Sequence, residues 1–234
     1  VLAGATSLAW AGPPYVTDDP EPTDLGHWEI YGFAGGVHTP GETAGETGLD
    51  FNYGAANDLQ LTLVVPAAYD RSGATHGGMG VVELAAKYKV LHEKAGSWRP
   101  SIALFPRLFA PTAKARFASK RANLLLPVWV GKGFGDWSVF GGGGYQLNPG
   151  AGARDFWTGG VALTRTLSDR VSAGGEVYHR TRDAADGRDL TGVNLGVTYK
   201  VTDHWSLLGA GGPGVQNARR EGRYDFYVAL KADY

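Results

Sequence analysis

Tyr224-Asp-Phe-Tyr-Val-Ala-Leu-Lys-Ala-Asp-Tyr234 is the stretch on which the fold turns. Counted back from the end, every second residue (Tyr234, Ala232, Leu230, Val228, Phe226 and Tyr224) is apolar or aromatic. The residues between them, Asp233, Lys231, Ala229, Tyr227 and Asp225, are mostly polar. An extended chain sends alternate side chains to opposite faces. One face of this strand therefore suits hydrocarbon, with an aromatic at each rim, and the other suits water. A half-buried strand of a soluble sandwich carries the same alternation, so the rest of the chain must decide.

Moving outward, the same period recurs from residue 27 to the end. Leu59, Leu61, Leu63 and Val65 alternate with Gln60, Thr62 and Val64. Val82, Leu84, Ala86, Tyr88 and Val90 oppose Glu83, Ala85, Lys87 and Lys89. Val193, Leu195, Val197 and Tyr199 oppose Asn194, Gly196, Thr198 and Lys200. In all, the pattern predicts about twelve strands. Connections near 57, 94, 134, 169 and 203 read as tight turns. Those near 42, 74, 116, 151, 185 and 218 read as longer loops rich in Gly, Pro and charge. Short turns on one rim and long loops on the other are what a transmembrane barrel shows, and a sandwich gives no reason for them. Backbone polar groups in hydrocarbon must all be paired, so the sheet must close. The fold class expected is all-β: an antiparallel up-and-down transmembrane barrel of about twelve strands. Arg165 and His179 fall on the lipid-facing parity, each near a rim, where an Arg stem can snorkel to the headgroups.

Composition agrees. The chain has 234 residues and a formal charge of −1, which excludes the basic excess a nucleic-acid partner needs. Mean hydropathy is −0.19, an average that lumen-facing polar residues and lipid-facing apolar ones produce together. No run reaches the roughly 18 apolar residues of a transmembrane helix. There are 36 Gly, 7 Trp and 11 Tyr, which suit a curved sheet with interfacial aromatics. No cysteine is present, so disulfides and thiolate metal sites are excluded.

The chain divides into three parts. Residues 1–11 are apolar and end in Ala9-Trp10-Ala11, as the tail of a secretory signal peptide does. An ordinary apolar segment packed on the fold is the other reading. Residues 12–25 hold four prolines and four acids, which leaves an extended periplasmic or plug segment. Residues 26–234 form the barrel.

The terminal strand, ending on an aromatic residue, resembles the signal by which bacterial outer-membrane barrels engage their assembly machinery. Gly12-Pro-Pro-Tyr-Val-Thr-Asp-Asp-Pro-Glu-Pro22, followed by His27-Trp28-Glu29, resembles the outer-membrane family labelled "MetA-pathway of phenol degradation". The resemblance is sharpest over residues 12–33 and continues as barrel pattern to the end. It implies an outer-membrane barrel that passes small organic compounds, aromatic ones among them, and it brings no site residues with it.

The inner parity collects Glu83, Lys87, Lys89, Glu176, Arg180, Lys200, Asp225 and Lys231 as the lumen and solute pathway. Their mixed signs suggest a lumen laced by ion pairs rather than a filter of one sign. Asp18, Asp19 and Glu21 are candidates for a plug that pairs with lumen cations. Asp24 joins them as an oxygen donor, but the spacing fits no EF-hand. Lys114, Arg116, Lys120 and Arg121 would meet lipopolysaccharide phosphates if their loop is extracellular, and an ordinary solvated loop is the other reading. The last long loop, with Arg219, Arg220 and Arg223, has the same two readings. The six histidines form no zinc spacing, and His179 has no Ser on its own face, so no catalytic residues, metal or cofactor are expected. The functional expectation is an outer-membrane channel for passive passage of small organic solutes. A closed structural or adhesive barrel and a lipid-acting enzyme are the alternatives.

Overall fold

The computed structural model describes residues 14–117, 120–216 and 221–234. The expected signal-peptide stretch lies outside them, as do Arg219 and Arg220. Among the described residues fourteen strands follow one another: β1 (Trp28–Thr39), β2 (Glu42–Ala56), β3 (Leu59–Ser72), β4 (Ala74–Met79), β5 (Glu83–Leu91), β6 (Ser101–Leu104) and β7 (Arg107–Phe109), then β8 (Asn123–Phe134), β9 (Trp137–Leu147), β10 (Phe156–Ser168), β11 (Val171–Arg180), β12 (Leu190–Lys200), β13 (Trp205–Pro213) and β14 (Tyr224–Asp233). Each pairs antiparallel with its neighbours, β14 returns to β1, and the β3–β5 pairing completes the ring.

Fourteen strands make twelve staves. β4 and β5 both lie along β3, the first on its upper half and the second on its lower half, with a break at residues 80–82. β6 and β7 both lie between β5 and β8 and are split at Phe105-Pro106. Proline has no N–H for the ladder, so the stave breaks there without changing its register. An even number of staves puts both ends of the sheet on one rim. Trp28 N–H donates to the Tyr234 carbonyl at 2.6 Å and so clasps the first stave to the last.

The outer wall is a belt of exposed apolar side chains, among them Leu63, Leu84, Leu126, Val128, Leu163, Val177, Leu195 and Val228. The ring thus spans a membrane, with hydrocarbon as its outer solvent. Aromatic residues crowd the rim that carries the chain ends: Trp28 stacks on Tyr53 at 4.6 Å, and Tyr234 meets both His204 and Trp205. Arg165 sits at this rim opposite Trp137, its guanidinium 5.1 Å from the ring centre. His179 stands near the other rim, 2.8 Å from Thr191 Oγ1.

Two expectations about connections need correction. The links at 42 and 74 are tight hairpins, closed at Pro40-Gly41 and at Gly73, where both glycines take the left-handed conformation (φ +88° and +87°). The connection near 94 is the longer one, running from 92 to 100. A spanning strand needs about 9–11 residues. β2 has 15 and β3 has 14, so this hairpin stands above the bilayer and needs no loop to do so.

Candidate functional site

The site is the lumen, and residues 14–23 run into it. Tyr15, Thr17, Asp18 and Thr23 are all buried there. The segment crosses the strands instead of pairing with one. Tyr15 Oη donates to the Gly196 carbonyl of β12 at 3.4 Å. The N–H groups of Val16 and Thr17 donate to the two carboxylate oxygens of Glu176 on β11, at 2.9 and 2.8 Å. Lys87 Nζ on β5 reaches Asp18 at 3.0 Å and Asp19 at 3.8 Å. Lys89 pairs with Glu21. Thr23 N–H donates to Gln60 Oε1 of β3 at 2.9 Å, and Leu25 bridges Gly54 of β2 in parallel.

Local chemistry explains why this stretch joins no stave. Pro14, Pro20 and Pro22 offer no N–H. Two remaining donors are satisfied locally, Asp19 N–H by Asp18 Oδ1 and Glu21 N–H by Asp19 Oδ1, both at 2.8 Å. The wall is shaped to match. A methyl group at Gly196 would stand 2.7 Å from the Tyr15 ring, and one at Gly131 would stand 2.7 Å from Pro20. The segment needs those positions bare, a signal that period-2 counting cannot detect.

The expected lumen residues fall into groups. Glu83 and Arg107 form a buried two-point pair at 2.6 and 2.7 Å. Arg107 and Lys87 flank the Phe105 ring at 5.4 and 4.9 Å. Arg107 and Phe105 belong to the split stave that the sequence pattern did not follow past Leu104. Arg180 pairs with Asp183 at 3.3 Å, and Asp225 pairs with Arg223 at 2.8 Å. Lys231 lies between Glu29 and Asp233 at 3.4 and 2.9 Å. Lys200 departs from the expectation. It occupies the last position of β12 and reaches out to Asp203 of the next turn at 3.0 Å, at the rim rather than along the lumen. That contact holds the Asp203 carboxyl below its usual range.

The basic loop is tied to the barrel mouth. Arg116 grips Asp70 with two nitrogens, and His76 approaches the same carboxylate at 3.2 Å. Ala113 and Phe117 pack on Ala68, on the inner face of β3, and Thr112 Oγ1 donates to the Gly80 carbonyl at 2.8 Å. The loop is anchored at the barrel mouth through Ala113 and Phe117, while Lys114, Arg116, Lys120 and Arg121 are all exposed. Among the described residues no three His, Asp or Glu side chains stand close enough to hold a metal ion.

No family model and no curated protein matches the chain. Solved structures do. An outer membrane channel from Pseudomonas putida F1 matches with a TM-score of 0.72 at 13% identity, over 92% of this chain and 98% of that one. The KdgM porin, solved in complex with disordered oligogalacturonate, matches with a TM-score of 0.59 at 13% identity, over 88% and 99%. The translocator domain of autotransporter NalP from Neisseria meningitidis matches with a TM-score of 0.52 at 14% identity, over 90% and 89%. At such identities the likeness is one of fold: the chain has the architecture of bacterial outer-membrane barrels.

Proposed function

We propose that this protein is an outer-membrane channel through which small organic solutes, aromatic ones among them, pass by passive diffusion. One observation carries the reading. The inner wall is lined by polar and charged side chains, among them Asn52, Gln60, Thr62, Lys87, Glu176 and Asn194. A lining of that kind suits a wet lumen rather than a dry core. The described contacts of the segment fall on β8 to β12 and on β5, β3 and β2. This leaves β13, β14 and β1 as the wall without a described contact to the segment, and we place the pathway there, beside the packed cluster of Tyr31, Phe33 and Tyr227.

The resemblance of residues 12–33 to the MetA-pathway family and the fold shared with the Pseudomonas putida channel support the same reading. Lipid and lipopolysaccharide surround the barrel. A closed barrel is favoured by one fact, the near-complete burial of Asp18 and Thr17 within the lumen. Single-channel recording in planar bilayers decides between them. Discrete conductance steps are expected, and a silent membrane at high salt and ample protein would leave only the closed barrel.

A further inference from the structure

We propose that the pathway prefers cations to anions, an inference that rests on the channel reading above. The described lumen cations are neutralised at short range: Lys87 by Asp18, Lys89 by Glu21, Arg107 by Glu83, Arg223 by Asp225, and Lys231 by Glu29. The carboxylates are not matched in return. Asp50 accepts from the amide of Asn52 at 2.9 Å. Glu176 accepts from two backbone N–H groups and from Asn194 Nδ2 at 2.8 Å. Glu46 accepts from the backbone of Val81. All these donors are neutral, and among the described residues none of the three carboxylates has an ion-pair partner within 4.0 Å.

A neutral donor stabilises a carboxylate but leaves its charge in place. Three lumen carboxylates on two separate walls therefore have no ion-pair partner of their own among the described residues. Glu46 and Asp50 share the inner face of β2, about 13 Å apart along the strand at roughly 3.3 Å per residue. Asp50 is the cross-strand neighbour of Tyr31, so one charge borders the aromatic strip along which the solute is proposed to move. Narrow walls of low dielectric strengthen such a field inside a pore relative to open water.

The sign follows directly. A mobile cation moving along the staves meets carboxylates without an ion-pair partner, whereas Lys87, Lys89, Arg107, Arg180 and Lys231, the cations an anion would meet there, are already paired. The solute class favoured is therefore neutral or cationic organic molecules rather than carboxylates.

The test is the reversal potential across a planar bilayer under a KCl gradient. At low salt, where a Debye length of roughly 10 Å or more leaves the wall charges unscreened, potassium is expected to pass about threefold or more faster than chloride. Replacing both wall carboxylates (Glu46→Gln with Asp50→Asn) should bring the ratio toward unity. Glu93→Gln, at a periplasmic connection, should leave it unchanged. A wild-type ratio at or below unity overturns the proposal, and so does a preference that survives the double change in a protein that keeps its barrel, as judged by heat-modifiable gel mobility. Absence of any conductance is a separate result, and it removes the channel reading itself.

Discussion

Val128 and Trp129 are neighbours in the chain and stand in different solvents. Val128 is 41% exposed on the outer wall, and Trp129 is 3% exposed in the lumen. The two faces of the same stave are built to different rules. The outer face has to be apolar, and almost any apolar residue meets that need: Leu126, Val128 and Val130 follow one another on β8, and Leu61, Leu63 and Val65 on β3. The inner face has to match particular partners. Glu83 is buried because Arg107 meets both its oxygens, and Gly196 is bare because Tyr15 lies over it. The outside is specified by class and the inside by pairs.

The largest effect should come from violating the outer rule. Val128→Arg puts a guanidinium on the lipid face of a central stave. It should cost about 2–4 kcal/mol at mid-membrane depth, measured as a fall in the urea midpoint of unfolding from phospholipid vesicles. Val128→Leu keeps the class and should shift that midpoint by less than about 1 kcal/mol. If Arg were tolerated as well as Leu, Val128 would not face hydrocarbon, and the register of β8 would be off by one residue.

This difference also explains what the amino-acid pattern could and could not convey. The lipid-facing residues of all the long staves were legible because one-letter class and period 2 suffice. Arg165 and His179, two exceptions on that face, were legible as rim residues from their distance to the next turn. The upper half of the hairpin was not. Ala74-Thr-His-Gly-Gly-Met79 stands above the bilayer, has no apolar face to keep, and so reads as a loop although it is a strand. The split stave was lost at Phe105-Pro106 for the reason any central strand with a proline is lost: the residue argues against the element that nevertheless resumes after it. In the lumen, parity placed Lys87 and Glu176 on the inner face. It could not say that one reaches Asp18 and the other the backbone of Val16 and Thr17, because those partners lie 69 and about 160 residues away.

The inner rule predicts a smaller and more selective response. Lys87→Met keeps the bulk of the side chain but leaves Asp18, 1% exposed, without its cation. The orphaned carboxylate should weaken the seating of the segment by about 1–3 kcal/mol, the cost of a buried polar group that has lost its partner. The absence of native cysteine makes the measurement direct. A single Thr17→Cys reporter should react with a membrane-impermeant maleimide roughly tenfold faster or more in the Lys87→Met background, since 1.4 kcal/mol is a factor of ten. Adding Asp18→Asn should return much of the protection, because the pair is then removed as a whole. Equal labelling in all three backgrounds would mean that the segment is held by its backbone contacts to Glu176 and Gly54 and that the ion pair is incidental.

The smallest effect is expected where neither rule applies. Lys200 has the inner parity but sits at the rim, 46% exposed, with Asp203 91% exposed beside it. Water competes for both groups, and the long lysine stem loses entropy in holding the contact, so pairs of this kind contribute little. The Asp203 carboxyl lies below its usual range in the folded protein, so whatever the pair contributes is present above the ordinary carboxylate range and is lost as pH falls through that lowered value. Lys200→Ala should therefore leave the unfolding midpoint at neutral pH unchanged, along with conductance, ion preference and Thr17→Cys labelling. A change in conductance or selectivity from Lys200→Ala would show that the lumen field extends to the rim, and that parity outweighs depth in deciding which charges a solute meets.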